Sequence, residues 1–117
     1  MLVKAATMLI ALLTSAGHAA DFRAVKLQEY CSDHSASSSN SVACIMYLEG
    51  FVDGLNVGDG SKEEKDRLWC FPEGATLQQA RLIVEKFMRD YPQALHQSAA
   101  KIVGTALILA FPCKNSN

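Results

Sequence analysis

The sequence has no basic run, no sustained alternation of apolar and polar residues, and no closely spaced pair of cysteines. The first absence argues against nucleic acid and anionic membrane surfaces as partners, because both are bound through clustered lysine and arginine. The second argues against β-structure, since half-buried strands alternate with a period of two. The third argues against a metal site, because zinc is usually held by cysteines a few residues apart.

Sequence motifs of catalysis are also missing. There is no Gly-x-Ser-x-Gly, no His-Glu-x-x-His and no glycine-rich phosphate loop. His34 and His96 fall in a predicted loop and near a predicted helix start, and no motif near them indicates a Cys-His triad. We therefore predict a protein that is not an enzyme, with no catalytic residues and no cofactor.

The first twenty residues indicate export. Lys4 precedes an apolar run of about a dozen residues, and small residues follow up to Ala20, as in a secretory signal. The run is shorter than the roughly 18 to 20 residues of a membrane-spanning helix. We predict a signal peptide over residues 1–19, cleaved after Ala19 or alternatively after Ala20, and a single helical domain over residues 20–117.

All four cysteines lie in the mature part, at Cys31, Cys44, Cys70 and Cys113. An even number in a small exported chain predicts two disulfides. Four cysteines allow three connectivities, and the sequence alone does not choose among them. We favour Cys31–Cys44 and Cys70–Cys113, because this pairing joins neighbouring helix ends. In the chain-entropy model such closures contribute on the order of 3 and 4 kcal/mol.

Apolar residues recur at helical spacing in four segments. These segments are 21–33, 42–58, 77–91 and 93–110. Ser41 and Thr76 are the predicted N-caps of the second and third helices, and Pro92 suits the first turn of the fourth. The charged segment 58–68 indicates an exposed loop with one turn capped by Ser61. The predicted fold is all-α, a small compact bundle of four to five helices with two disulfides.

The second helix contains Gly50 and Gly54. Each is expected to cost roughly 1 kcal/mol relative to alanine in a helix interior. Four residues apart on one face, they would let a second helix backbone approach closely, so we assign them a helix-packing role. The alternative is that Gly54 ends the helix early.

Three segments carry a family resemblance: "YLEGFVDG" after Cys44, "CFPEGATLQQ" from Cys70, and the closing "FPC" that ends at Cys113. With these segments the chain resembles the Tai/Rap immunity proteins, which neutralise amidase effectors of the bacterial type VI secretion system. The resemblance implies a helical, disulfide-stabilised periplasmic protein without catalysis, often a homodimer. It also implies that the protein binds a peptidoglycan-cleaving amidase and blocks its active-site cleft.

An inhibitor of this kind needs a rigid protruding segment, because ordering a floppy loop lowers affinity. We expect the segment 53–67 to be that protrusion, with its carboxylates steering it toward a cationic rim. The predicted effector contacts are Asp53, Asp59, Lys62, Glu63, Glu64, Asp66 and Arg67. The alternative is that this segment is only a soluble connector. A homodimer would use the face of Gly50 and Gly54 or the exposed side of the fourth helix.

Two other functions fit the same features. One is a small periplasmic acid-stress chaperone, which would expose apolar surface once its carboxylates are protonated. The other is a secreted helical interaction module.

Overall fold

The computed structural model describes residues 22–113, so the predicted signal peptide lies outside the described residues. Four α-helices follow one another, α1 (Ala24–Ser32), α2 (Ser39–Asp59), α3 (Leu77–Asp90) and α4 (Ala99–Ala110). Two short 3-10 helices, Glu64–Asp66 and Pro92–Ala94, lie in the connecting segments. Within 22–113 there is no strand, only an isolated bridge between Arg23 and Ser98. The predicted all-α bundle is confirmed.

The bundle forms around apolar residues that recur at helical spacing. Leu27, Leu48, Met88 and Leu107 are fully buried, one from each helix. The nine-residue α1 contacts α2, α3 and α4. The shortest α-helix therefore packs against all three of the others, while Val25, Lys26 and Glu29 on its outer side stay exposed.

Both disulfides have the favoured connectivity. Cys31 and Cys44 are joined with a Cα–Cα distance of 5.0 Å, and Cys70 and Cys113 with one of 4.9 Å. The first joins the last turn of α1 to α2 across the serine-rich loop. The second joins the segment before α3 to the residues after α4.

The helix starts agree with the prediction in part. Thr76 caps α3 as predicted, its Oγ1 accepting a hydrogen bond from the N–H of Gln79 at 3.1 Å. Helix α2 begins earlier than predicted, because Ser38 and not Ser41 is its N-cap. The Oγ of Ser38 accepts from the N–H of Ser41 at 3.0 Å. Ser41 thus lies inside the first turn of α2, where it is buried.

Helix α4 begins at Ala99 and not near Gln93. The segment before it pairs with the start of α1: the N–H of Ala24 donates to the carbonyl of Gln97 at 2.8 Å, and that of Ala99 to Phe22 at 2.7 Å. These long-range bonds use groups that a continuous helix would have used internally. The helix therefore starts only after this pairing.

Gly50 and Gly54 face solvent. Nothing lies within 4 Å of the position that an added Cβ would occupy at either residue, so the predicted close approach of a second backbone is wrong within the described chain. The buried side of α2 is the opposite one, carrying Leu48 and Val52. A residue two positions from each points about 200° away from it on a helix. Helix α2 continues to Asp59, so Gly54 does not end it.

A buried arginine joins α3 to the junction of α1 and α2. Arg81 is only 3% exposed. Its Nη2 donates to the carbonyls of Cys31 at 2.7 Å and Asp33 at 2.6 Å, its Nε to Cys31 at 3.2 Å, and its Nη1 to Ser41 Oγ at 2.9 Å. Carbonyls at a helix C-terminus have no intrahelical donor, and a cation there also favours the helix dipole. Arg81 provides both a hydrogen-bond donor and a positive charge at the C-terminus of α1.

One turn further along α3, Glu85 is also buried. Its Oε1 lies 2.9 Å from Nε2 of His34, a residue of the loop between α1 and α2. Helix α3 therefore holds this loop at two points, through the arginine and through the glutamate.

We predict that Arg81→Met lowers the free energy of unfolding by about 2 to 4 kcal/mol, because it leaves two carbonyls and a buried hydroxyl without donors. Arg81→Lys keeps the charge but not the planar guanidinium, so its free energy of unfolding should lie between those of the wild type and Arg81→Met. Urea unfolding with both disulfides intact measures the effect. Arg89→Met, at an exposed position of the same helix, is the matched control. Equal midpoints for Arg81→Met and Arg89→Met would contradict the assignment.

We predict opposite effects of alanine at two glycines. Gly54→Ala should raise the free energy of unfolding by up to about 1 kcal/mol, because the helix gains propensity and nothing obstructs the methyl group. Gly74→Ala should lower it by about 1 kcal/mol, since Gly74 has φ +87° in the turn closed by Ala75 N–H and Pro72 O. Thermal unfolding of both variants tests this. A destabilised Gly54→Ala would mean that α2 is covered there.

Candidate functional site

The charged segment after α2 is fixed at its base by a buried carboxylate. Asp59 ends α2 and is 6% exposed. Its Oδ2 accepts from the N–H of Leu68 at 2.9 Å, and its Oδ1 lies 3.3 Å from Nζ of Lys62. Burial acts to raise the pKa of Asp59, but the hydrogen bonds from Leu68 and Lys62 outweigh it and the pKa is lowered. The carboxylate therefore closes the segment into a loop.

Arg67 braces the loop from the other side. Its Nε donates to the carbonyl of Lys62 at 3.0 Å and its Nη2 to that of Gly60 at 3.5 Å. The tip of the loop, between Lys62 and Arg67, contains the short 3-10 helix Glu64–Asp66. We call residues 60–68 the acidic loop after its exposed carboxylates, Glu63, Glu64 and Asp66, although Lys62, Lys65 and Arg67 equal them in number.

After the acidic loop the chain is held against the end of α4. Trp69 is buried and stacks on Phe71 with ring centroids 5.1 Å apart, and Phe71 meets the edge of Phe111 at 5.1 Å. The N–H of Cys70 donates to the carbonyl of Phe111 at 2.9 Å beside the Cys70–Cys113 disulfide. The acidic loop is thus anchored covalently at one end and by Asp59 at the other.

Two open clefts flank Glu64. The first, of about 240 Å³, lies inside the acidic loop and is lined by Asn56, Asp59, Gly60, Glu64, Arg67, Trp69, Cys70 and Phe71. The second, of about 450 Å³, lies over the disulfide and is lined by Glu64, Cys70, Phe71, Pro72, Ala110, Phe111 and Pro112. Because the two Phe-Pro pairs form the walls of the second, we call it the Phe-Pro cleft. Its surface is apolar and is bordered by a carboxylate.

This arrangement offers a rigid, densely charged protrusion beside an apolar cleft. The model of the Rap1a immunity protein family matches residues 23–113, from just before α1 to the second disulfide. The chain belongs to the Rap1a immunity protein family. No curated protein and no solved structure matches it.

Membership of the Rap1a family assigns the chain a role as an immunity protein against a secreted effector. Proteins of such a family are generally not catalysts. Two disulfides form and persist outside the reducing cytosol, which indicates a secreted or periplasmic protein.

Of the seven residues predicted to contact the effector, Asp59 is buried and the other six are exposed or half-buried. Glu63, Glu64 and Asp66 are exposed on the acidic loop, where Glu63 lies 3.3 Å from Lys65. Asp53 is exposed on α2, before the loop begins. Lys62, Asp59 and Arg67 bond within the loop. Asp59 in particular departs from the expectation, because its buried carboxylate shapes the loop and does not present itself to a partner.

Sequence reasoning missed Arg81 and Glu85. Both lie on the buried side of α3, with Ala80, Val84 and Met88. The signal was present in the spacing, because positions 81 and 85 fall within the apolar stripe of a 3.6-residue period. A charged residue inside such a stripe indicates a buried pair or network, since an unpaired buried charge is costly.

The described part of the chain, residues 22–113, contains no group of three or more His, Cys, Asp or Glu side chains placed to hold a metal ion. All cysteines in this range are in disulfides. None of the helices of this range has the length and apolarity to cross a membrane.

We predict that the acidic loop loosens in acid because of Asp59. The pKa of Asp59 is lower in the folded protein than in the unfolded chain, where an aspartate has a pKa of about 4. The ionised carboxylate therefore stabilises the fold fully at pH values above the unfolded pKa. This stabilisation is lost as the pH falls through the folded-state pKa. Trp69, the only tryptophan, reports on it because Asp59 binds the neighbouring Leu68. In the wild type its emission should shift to the red as the pH falls through the lowered pKa of Asp59, at a more acidic pH than an ordinary aspartate would require.

In Asp59→Asn the shift should already be present at neutral pH and should vary little with acid. Glu64→Gln, an exposed carboxylate of the same loop, should keep the wild-type profile. Identical pH profiles for the wild type and Asp59→Asn would contradict the role of the carboxylate.

Proposed function

We propose that this protein is a non-catalytic periplasmic immunity protein that binds a peptidoglycan amidase effector of the type VI secretion system and occludes its active-site cleft. Family membership supports an effector as the partner, and the amidase is what the sequence resemblance implies. The observation that carries the proposal is the acidic loop, which is exposed at its tip and anchored at both ends.

The anchoring matters for affinity. A loop that is ordered before binding loses little conformational entropy in the complex, so more of its contact energy appears as affinity. Glu64 and Asp66 carry exposed carboxylates that make no ion pair with other residues of the described range. Such charges accelerate association with a cationic rim more than they slow dissociation.

The Phe-Pro cleft gives the loop a second means of attachment. An apolar side chain of the effector that entered it would lie against Phe71 and Phe111. Aromatic surfaces of this kind supply much of the affinity at protein interfaces. In this arrangement the carboxylates orient the effector and the cleft retains it.

The homodimer that the resemblance implies fits the outer side of α4 better than the glycine face. Leu109 is strongly exposed there, and it lines a groove of about 310 Å³ with Ile83, Phe87 and Tyr91. The face of Gly50 and Gly54 carries carboxylates and no cation, so two copies would repel each other across it. Sedimentation of the wild type and Leu109→Arg tests the dimer.

We predict that the adjacent reading frame encodes a peptidoglycan amidase and that the wild-type protein inhibits this amidase at a ratio near one to one. The neutralised variant Glu64→Gln with Asp66→Asn should associate about threefold or more slowly at low salt, with a smaller change in dissociation. Stopped-flow binding measures both rates, and peptidoglycan hydrolysis measures inhibition.

Glu29→Gln, at an exposed position of α1, is the matched control and should leave the association rate unchanged. An amidase that the wild type neither binds nor inhibits would refute the proposed function. Unchanged association of the neutralised variant would refute the acidic loop as the steering element.

A further inference from the structure

Helix α2 is apolar on both of its sides. Its inner side lies in the core, yet Val42, Met46 and Val57 on the outer side are 52, 59 and 83% exposed. A helix that is apolar all round is normally covered all round. Within residues 22–113 the outer side of α2 has no such cover, which indicates a surface shaped for a partner.

The charges of this side have one sign. Glu49 and Asp53 are exposed one turn apart, and α2 contains no lysine, arginine or histidine among its 21 residues. Neither carboxylate forms an ion pair with another residue of the described range. Like charges four residues apart destabilise a helix by a few tenths of a kcal/mol. A lysine or arginine from another molecule would remove this repulsion.

The outer side of α2 is continuous with the acidic loop. The loop has too few residues for a stable interface alone, since such interfaces use about 20 to 30 residues on each partner. Helix α2 runs into the loop at Asp59. Residue Asn56 of α2 lines the cleft inside the loop, and from there the exposed residues of the outer side extend along about 15 residues of helix, or roughly 20 Å.

We propose that the outer side of α2, formed by Val42, Met46, Glu49, Asp53 and Val57, is the second half of the effector-docking surface. It takes an apolar strip of the effector that is flanked by lysine or arginine. The inference rests on the proposed function. A second copy of this chain fits less well, because a two-fold axis here would bring Glu49 and Asp53 against their own copies without a cation to pair with.

The exposed glycines fit this surface. A row of residues spaced four apart forms a ridge on a helix, and Gly50 and Gly54 leave a gap in that ridge. An effector segment could then approach the backbone of α2 between Met46 and Val57. The glycines alone would carry no such conclusion, but they agree with the exposed apolar residues on either side of them.

The test compares arginine substitutions at two helices. Val42→Arg and Met46→Arg should each raise the Kd for the amidase encoded by the adjacent reading frame at least about tenfold, since they place bulk and like charge where the strip docks. Val25→Arg is the matched control, because Val25 is also a helical valine and also 52% exposed. It should change the Kd by less than about twofold.

A charge-reversed variant tests the flanking cations. Glu49→Lys with Asp53→Lys should weaken binding about tenfold or more, with the loss shrinking as salt is raised. Circular dichroism checks that each variant keeps its helices.

Each outcome has one meaning. If the wild type does not bind the amidase, the proposed function fails and this inference fails with it. If the wild type binds and the α2 variants bind as tightly as Val25→Arg, only this inference is overturned. If the α2 variants change self-association in sedimentation and leave the Kd unchanged, the surface belongs to a second copy, which also overturns it.

Discussion

The guanidinium of Arg81 is the interaction on which the arrangement of the helices depends. It is buried between three elements and donates to the end of α1, to the loop that follows and to the first turn of α2. No single apolar contact fixes direction in this way, because dispersion and hydrophobic burial are not directional. The planar fork of an arginine sets both the distance and the angle of its acceptors. The Cys31–Cys44 disulfide then fixes the same junction covalently.

The second disulfide fixes the acidic loop much as Arg81 fixes the junction of α1 and α2. Between Asp59 and Trp69 the chain has little apolar surface to bury, so packing alone would leave it mobile. The bond from Leu68 to Asp59 and the disulfide to Cys113 replace packing with two fixed points. A short charged loop thereby acquires the rigidity of the bundle, and its exposed carboxylates keep defined positions relative to the Phe-Pro cleft.

The features predicted correctly from the sequence are those set by residues close together in the chain. Thr76 caps α3 through a residue three positions away, and helical spacing alone identified all four helices. The late start of α4 was not predictable in this way, because it is set by hydrogen bonds to the beginning of α1, far away in the chain. Asp59 looked like any other surface carboxylate until its acceptor role for Leu68 was visible. The burial of Arg81 was not predicted, because a charged residue interrupts the apolar stripe in the sequence. Its hydrogen-bond acceptors lie far away in the chain and become visible only in the folded structure.

Helix α2 combines an inner side fixed in the core with an outer side that no other residue of the described range covers. Its inner side holds Cys44, Leu48 and Val52 in the core, so the helix cannot shift without breaking the bundle. Its outer side has glycines and unpaired carboxylates, which lower helix stability without any gain inside the chain. Local features that contradict the fold are expected where a sequence serves a partner. Because the inner side is fixed by the core and the first disulfide, the outer side can tolerate these features and remain straight enough to dock. The residues of α2 that stabilise the bundle and those that form its exposed surface therefore lie on opposite sides of the helix.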